Sequence, residues 1–94
     1  MANHTTFIVK RTPNYTEPYD ERKLYASIYA ACLCVRTPVG EAELTAAHMC
    51  KFIEPWLADK QEVTSHDIRR KTAEFLKVYN PDAAYMYSRH RLIG

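Results

Sequence analysis

The sequence predicts an α+β domain in which a small β-sheet lies over a bundle of helices. The chain begins with β-branched and aromatic residues, continues with segments whose apolar residues recur at helical spacing, and carries cap residues or proline between those segments. Its 94 residues suit one compact domain, so residues 1–94 are treated as a single unit. With 47% hydrophobic and 26% charged residues, the composition is typical of an ordinary globular protein.

A β-hairpin is predicted over about residues 6–18. Residues 6–11 are mostly β-branched, aromatic or basic, residues 12–14 (Thr-Pro-Asn) supply turn chemistry, and residues 15–18 can return as a second strand. Farther along the chain, Glu62 and Val63 are enough for a short third strand. The sequence therefore predicts a sheet of two or three strands.

Four helices follow, at about residues 20–35, 41–54, 65–79 and 81–92. Gly40 is the predicted cap of the second helix, and Pro55 is expected to kink or end that helix near Phe52. Residues at helical spacing define the face that each helix is expected to bury: Leu24, Ile28, Ala31 and Val35; Ala46, Cys50, Ile53 and Leu57; Ile68, Thr72, Phe75 and Tyr79; Ala84, Tyr85, Ser88 and Leu92.

The other three helices begin at residues with strong N-cap preference. Asp20 is predicted to cap the first helix. Thr64 is predicted to cap the third, where Asp67 completes a capping-box pattern. The fourth helix begins with Asn80-Pro81, a cap followed by proline at the first helical position.

Composition argues against several classes of function. The net charge of +2 is too small for a dedicated nonspecific nucleic-acid binder, and two glycines leave no glycine-rich phosphate loop. The four histidines and three cysteines lack the spacing of a zinc site, and no nucleophile lies beside a base, so we expect neither a metal site nor an enzyme. No signal peptide or membrane-spanning segment is recognisable, which predicts a cytoplasmic protein without membrane contact.

Two basic features near the start of the chain could hold an anion. Lys23 falls in the first turn of the first helix, where the helix dipole disfavours a cation and a bound phosphate would explain it. Alternatively, Asp20 and Glu21 balance its charge. Lys10 and Arg11 end the first strand, where alternation directs one of the two side chains toward the helices and the same anion. Alternatively, a lysine at this position protects the edge of the sheet against aggregation.

A third candidate lies at the start of the third helix. Thr64 and Ser65 offer hydroxyl and backbone N–H groups, and Arg69 lies about one turn farther on. The alternative is that Thr64 is a cap and nothing more. Arg89 and Arg91 fall late in the fourth helix, where cations are favourable for the helix dipole alone.

Several segments together form a pattern: Val9-Lys10-Arg11; Glu17-Pro18-Tyr19-Asp20; Lys23-Leu24 and Ile28; Val63-Thr64-Ser65-His66-Asp67-Ile68; and Tyr85-Met86-Tyr87 through Arg91-Leu92. This pattern resembles the ATP-cone family, in which Val-x-Lys-Arg-Asp-Gly is followed by Pro-Phe-Asp-x-x-Lys-Ile, later by hydrophobic-Thr-Ser-x-Glu-Ile, and finally by a closing helix. The resemblance covers nearly the whole chain.

The resemblance implies a nucleotide sensor rather than an enzyme. ATP cones are regulatory domains of ribonucleotide reductase large subunits and of the zinc-ribbon repressor of the reductase genes, and they change oligomeric state on binding ATP or dATP. For this chain it implies a four-helix bundle capped by a small sheet. It also implies bound ATP or dATP, with Mg²⁺ expected beside the triphosphate, and either self-association or a partner such as a ribonucleotide reductase.

The resemblance also implies a set of nucleotide-binding residues. Phosphate contacts are implied for Lys10, Lys23, Thr64 and Ser65, with Arg69 and Arg91 as further candidates, whereas Glu17, Asp20 and Leu24 are expected near the base or sugar, and Val9 and Arg11 complete the set. Two positions depart from the family pattern. Residues 12–14 replace the usual Asp-Gly turn, which puts base selectivity in doubt, and Tyr19 replaces the common phenylalanine.

Two alternatives stand beside the sensor. The first is a small nucleic-acid-binding regulator whose phosphate-tracking face is formed by Arg69, Arg70, Lys71, Arg89 and Arg91, and steep salt dependence of binding would reveal it. The second is a degenerate cone that has lost its nucleotide and serves only in oligomerisation, which would bury apolar surface without responding to nucleotide.

Overall fold

The computed structural model describes residues 6–11 and 14–89, without the side chains of residues 10, 11, 14 and 15. Its elements are β1 (Phe7–Arg11), β2 (Asn14–Pro18), α1 (Glu21–Cys34), α2 (Val39–Leu57), β3 (Glu62–Thr64), α3 (Ser65–Tyr79) and α4 (Pro81–Arg89). This combination of helices with a small mixed sheet confirms the predicted α+β class. The end of the predicted fourth helix, together with Leu92, lies outside the described residues.

The three strands form one sheet in the order β2-β1-β3. β1 pairs antiparallel with β2, so that Ile8 lies opposite Glu17, and parallel with β3, so that Ile8 lies opposite Val63. Ile8 and Val63 are both buried in the core. The hydroxyl of Thr6 lies 2.8 Å from the carbonyl oxygen of Lys60 and 3.1 Å from that of Leu57, which ties the start of β1 to the segment after α2.

Helix α1 buries the face that the sequence predicts and ends in a Schellman motif. Leu24, Ile28 and Ala31 are buried, whereas Val35 is partly buried. Arg36 adopts the left-handed conformation with φ 62°. The Arg36 N–H then donates to the carbonyl of Leu33, and the Thr37 N–H donates to that of Cys32, which satisfies two carbonyl groups at the helix end.

Helix α2 differs from the predicted segment at both ends. It begins at Val39 with Pro38 in the cap position, and not after a Gly40 cap. It also continues through Pro55 to Leu57, because Ile53 and Leu57 are both buried in the core. Pro55 lacks an N–H and so removes one hydrogen bond within the last turns, while its own carbonyl still accepts from the Ala58 N–H. Burial of the helix end outweighs that single loss.

The predicted core face of α3 is partly wrong. Thr72 is buried as expected, but Leu76 takes the next buried position and Tyr79 is 47% exposed. Tyr79 packs instead beside Phe52 of α2, with ring centroids 5.7 Å apart.

The predicted core face of α4 is also offset. Ala84 is buried, but Tyr85 and Ser88 are exposed, and Ala83 and Tyr87 are buried in their place. The reason is tertiary: the Tyr87 hydroxyl lies 3.2 Å from the hydroxyl of Ser27 on α1, which turns this side of α4 inward. The predicted Asn80 cap is confirmed, because Asn80 Oδ1 accepts from the Ala83 N–H at 3.1 Å.

Candidate functional site

The start of α3 lies beside the central strand of the sheet. Val9 of β1 pairs in parallel with Thr64, the last residue of β3, and Ser65 opens α3 directly afterwards. The backbone of Lys10 continues β1 one residue farther, opposite Tyr15 of β2. Two segments far apart in the sequence therefore meet at this helix start. The side chains of Lys10 and Arg11 lie outside the described part of the structure.

Thr64 caps α3 as predicted. Its extended backbone, with φ −80° and ψ 156°, turns the side chain back so that Oγ1 accepts from the Asp67 N–H at 2.9 Å. Ser65 occupies the first helical position, and within the described residues its hydroxyl has no hydrogen-bond partner. The amides of a first helical turn have no acceptor within the helix. This helix start therefore combines uncharged hydroxyls with amide donors.

The start of α1 is also capped as predicted, but by a carboxylate. Asp20 Oδ1 accepts from the Arg22 N–H at 2.9 Å, and the Arg22 Nε atom lies 3.5 Å from the same oxygen. The cap thus brings its own negative charge together with a nearby guanidinium. A second anion at this position would meet the Asp20 charge at close range.

Lys23 forms an ion pair that the sequence did not predict. Its Nζ atom lies 3.2 Å from Oε2 of Glu17 on β2, where the two side chains are 60% and 22% exposed. The expected balance by Asp20 and Glu21 is therefore replaced by a contact between β2 and α1. An exposed pair of this kind contributes about 0.2–1 kcal/mol, so an anion can take the place of the carboxylate at small cost.

Two further predicted site residues are buried or partly buried. Leu24 is buried in the core, so its side chain packs rather than lining a surface. Arg69 is partly buried near Tyr87. Burial raises the pKa of the Tyr87 hydroxyl, and the Ser27 hydrogen bond and the charge of Arg69 offset part of that rise. Arg91 lies outside the described residues.

The sheet topology divides the predicted site residues into two groups. Val9, Thr64 and Ser65 meet where β3 passes into α3, whereas Glu17 and Lys23 meet where β2 passes into α1. Because β2 runs antiparallel to β1 and β3 runs parallel to it, the two helix starts lie toward opposite ends of β1. At about 3.3 Å per strand residue, Phe7 and Val9 are roughly 7 Å apart along β1.

A buried thiol lies behind the start of α1. Cys50 Sγ is 3.9 Å from the backbone carbonyl oxygen of Glu21. Burial, with smaller contributions from the Glu21 and Glu54 charges, raises the pKa of this thiol from 9.0 to about 11. Burial also raises the pKa of Tyr19, whose hydroxyl is enclosed without a hydrogen-bond partner among the described residues.

A groove between α3 and α4 was not predicted from the sequence. This groove has a volume of about 510 Å³, and its lining includes Arg69, Ala73, Lys77, Ala84 and Tyr85. Its residues recur at helical spacing on the two facing helices, which is the pattern that could have indicated it. The expectation that Tyr85 and Ser88 lie in the core concealed it.

Neither the family models nor the curated proteins nor the solved structures yield a match to this chain. The resemblance to ATP cones therefore rests on the sequence segments quoted above. Within residues 6–11 and 14–89, no three His, Cys, Asp or Glu side chains are grouped so that they could hold a metal ion. In the same part of the chain, none of the helices has both the length and the apolar character needed to cross a lipid bilayer.

Proposed function

We propose that this protein is a regulatory module that binds an adenine nucleotide, ATP or dATP, with its phosphates at the start of α3 beside β1. In this proposal the sheet caps the four-helix bundle and the ligand lies at that cap. The observation that carries it is the pairing of Val9 with Thr64. Segments more than fifty residues apart, each matching a nucleotide-binding motif of ATP cones, are adjacent in space.

The chemistry of the α3 start supports a phosphate. Backbone amides and the positive end of the helix dipole favour an anion, and the Ser65 hydroxyl can donate to it without giving up another bond. Thr64 also keeps its hydroxyl proton while its oxygen serves as the cap acceptor. Lys10 and Lys23 supply the charge in this proposal, Lys23 by exchanging Glu17 for phosphate.

Regulation requires that the nucleotide bind one state of the protein more tightly than another, since equal affinity shifts no equilibrium. We propose that ATP and dATP, with Mg²⁺ on the phosphates, differ in their contacts near Glu17 and thereby bias self-association or docking to a partner such as a ribonucleotide reductase. Under this proposal the protein carries out no reaction of its own.

The nucleic-acid alternative receives less support from the side-chain contacts. Of its five cations, Arg70 is 3.2 Å from a carboxylate oxygen of Glu74, and Lys71 is 3.5 Å from the other. Lys71 also lies 5.4 Å from the centre of the Phe75 ring. Cations engaged in this way are less available to a phosphate backbone.

The nucleotide proposal is tested by thermal shift and calorimetry with ATP, dATP and GTP in the presence of Mg²⁺. Ligand at about 100 times its dissociation constant stabilises a fold by about 2.7 kcal/mol, which raises the melting temperature of a domain this small by roughly 10 °C or more. We expect that response for the adenine nucleotides, a weaker one for Ser65→Ala, and none for Lys10→Ala/Lys23→Ala.

Ser65→Ala is a sensitive probe because its hydroxyl has no other partner among the described residues, so the variant should fold normally. Lys51→Ala, which removes an exposed lysine of α2, is the matched control for the lysine variants and should respond like the wild type. A folded wild-type protein that shows no shift with any nucleotide at millimolar concentration would refute the proposal.

A further inference from the structure

The groove between α3 and α4 has an apolar floor and a charged rim. Ala73 of α3 lines it on one side, and Pro81, Ala84 and Tyr85 of α4 line it on the other. The Tyr85 side chain is 59% exposed, whereas the preceding residue, Ala84, is buried. Small residues on both helices leave a depression into which side chains from outside can pack.

The rim of this groove is positively charged. Among the described lining residues, the one carboxylate belongs to Glu74 and is already engaged by Arg70 and Lys71. Neither Arg69 nor Lys77, by contrast, contacts a carboxylate in the described part of the chain. On the α4 side, the Arg89 guanidinium lies 5.0 Å from the centre of the Tyr85 ring. Within the described residues, the groove therefore presents two cations, Arg69 and Lys77, without a carboxylate partner, and it favours an anionic occupant.

The shape of the groove favours a helix over a small molecule. Most of its lining side chains are exposed, so the groove is shallow, whereas small-molecule sites typically enclose 70–90% of their ligand. Lys77 follows Arg69 by eight residues on the same helix, which places their Cα atoms about 12 Å apart, or two helical turns. An occupying helix of similar length would meet both cations.

We propose that the α3–α4 groove binds an acidic amphipathic helix of a partner protein. Two carboxylates about two turns apart face Arg69 and Lys77, and the apolar side chains between them pack on Ala73, Ala84 and Tyr85. Helix-in-groove recognition uses this arrangement of apolar anchors with charged flanks. The proposal is tested independently of nucleotide binding, because Lys77 and Tyr85 lie outside the nucleotide set and only Arg69 belongs to both.

The test is a display library of helical peptides with randomised surface positions, selected against the full chain. We expect enriched sequences to carry Asp or Glu seven or eight residues apart with apolar residues between them. Lys77→Glu should lower the affinity for an enriched peptide about tenfold or more, because it replaces an attraction between charges by a repulsion. A peptide in which the facing carboxylate is changed to lysine should regain affinity for Lys77→Glu.

Lys51→Glu makes the same charge change on an exposed position of α2 and should bind the peptide like the wild type. Lys77→Gln serves as a milder variant should Lys77→Glu melt early, because a cation favours the last turn of α3. Enrichment of basic or uncharged peptides, or unchanged affinity in both Lys77 variants, would overturn the proposal. Nucleotide-induced thermal shifts should be the same in Lys77→Glu and wild type.

Discussion

Helices α1 and α3 both begin at a predicted N-cap next to the sheet, yet the two starts differ in charge. Asp20 satisfies the first turn of α1 with a carboxylate and draws in the Arg22 guanidinium. Thr64 satisfies the first turn of α3 with a hydroxyl, and the adjacent Ser65 hydroxyl has no partner within the described residues. The cap of α3 therefore carries no charge of its own, and the Asp67 carboxylate in the same first turn lies 3.9 Å from the Arg70 guanidinium.

N-capping and anion binding are separate properties of a helix start. Cap preference ranks Asp, Ser and Thr together because each offers an oxygen to the first-turn amides. The charge of that oxygen decides whether a phosphate is repelled or accepted. For this reason we assign the phosphates to α3 in the proposed function, with Lys23 reaching toward them from α1.

We expect the strongest change when α3 receives the kind of cap that α1 has. Thr64→Asp retains an acceptor for the Asp67 amide but adds a negative charge where the phosphate is proposed. We expect nucleotide affinity to fall roughly tenfold to a hundredfold, corresponding to the loss of one hydrogen bond to a charged group, about 1.5–3 kcal/mol. Calorimetry with ATP and dATP measures this change.

Asn80→Asp is the matched control, since it adds the same charge at the cap of α4 and keeps an oxygen for the Ala83 amide. It should bind nucleotide like the wild type. If Thr64→Asp binds as tightly as the wild type, the comparison between the two helix starts no longer explains where phosphate binds.

The second prediction concerns how stability depends on pH through the buried Cys50 thiol, which lies behind the start of α1. The pKa of Cys50 is raised to about 11 in the folded protein. Below pH 9 the thiol is protonated in both states, but between about pH 9 and 11 the unfolded chain releases its proton first. Stability should therefore fall as the pH rises through this range.

Melting temperatures measured from pH 8 to 11 check this dependence. Cys50→Ala should show a shallower decline than the wild type, although Tyr19 and Tyr87, whose pKa values are also raised, contribute to the decline in both proteins. Cys34→Ala, which changes an exposed thiol, should follow the wild-type curve. Identical slopes for wild type and Cys50→Ala would show that burial does not raise the pKa of this thiol.

The smallest expected effect lies at the other end of α1. Arg36 holds a left-handed conformation that costs a side-chain-bearing residue about 1–2 kcal/mol, and glycine returns part of that through its greater entropy in the unfolded chain. Arg36→Gly should therefore stabilise the protein by about 0.5–1 kcal/mol, or roughly 4 °C in melting temperature. Val35→Gly, at a position with φ −104°, should destabilise it. A decrease in melting temperature for Arg36→Gly would contradict the Schellman interpretation.

The sequence alone predicts the local features of this protein well. The caps at Asp20, Thr64 and Asn80 are all confirmed, because a cap bond joins residues only two or three positions apart. The buried faces of α1 and α2 are likewise predictable, since their apolar residues recur at helical spacing over several turns. The shorter α4 offers fewer such residues, so its face is ambiguous and the Tyr87 contact with Ser27 decides it.

Part of the candidate site lies beyond sequence reasoning. The residue types suited to phosphate, at Lys10, Lys23, Thr64 and Ser65, can be named from their local positions. Sequence spacing does not reveal that Glu17 contacts Lys23, because that distance depends on how β2 is oriented against α1. The α3–α4 groove depends in the same way on which sides of the two helices face each other.

The α+β class, the hairpin strands and the starts of α1, α3 and α4 follow from the sequence, because these depend on propensities and hydrogen bonds within a few residues. The parallel pairing of β3 with β1, which places Val9 beside Thr64, depends on the tertiary structure. The continuation of α2 past Pro55 depends on it too, since the burial of Leu57 outweighs the missing amide hydrogen bond. Both outcomes depend on contacts between segments distant in sequence, whose energies no local pattern encodes.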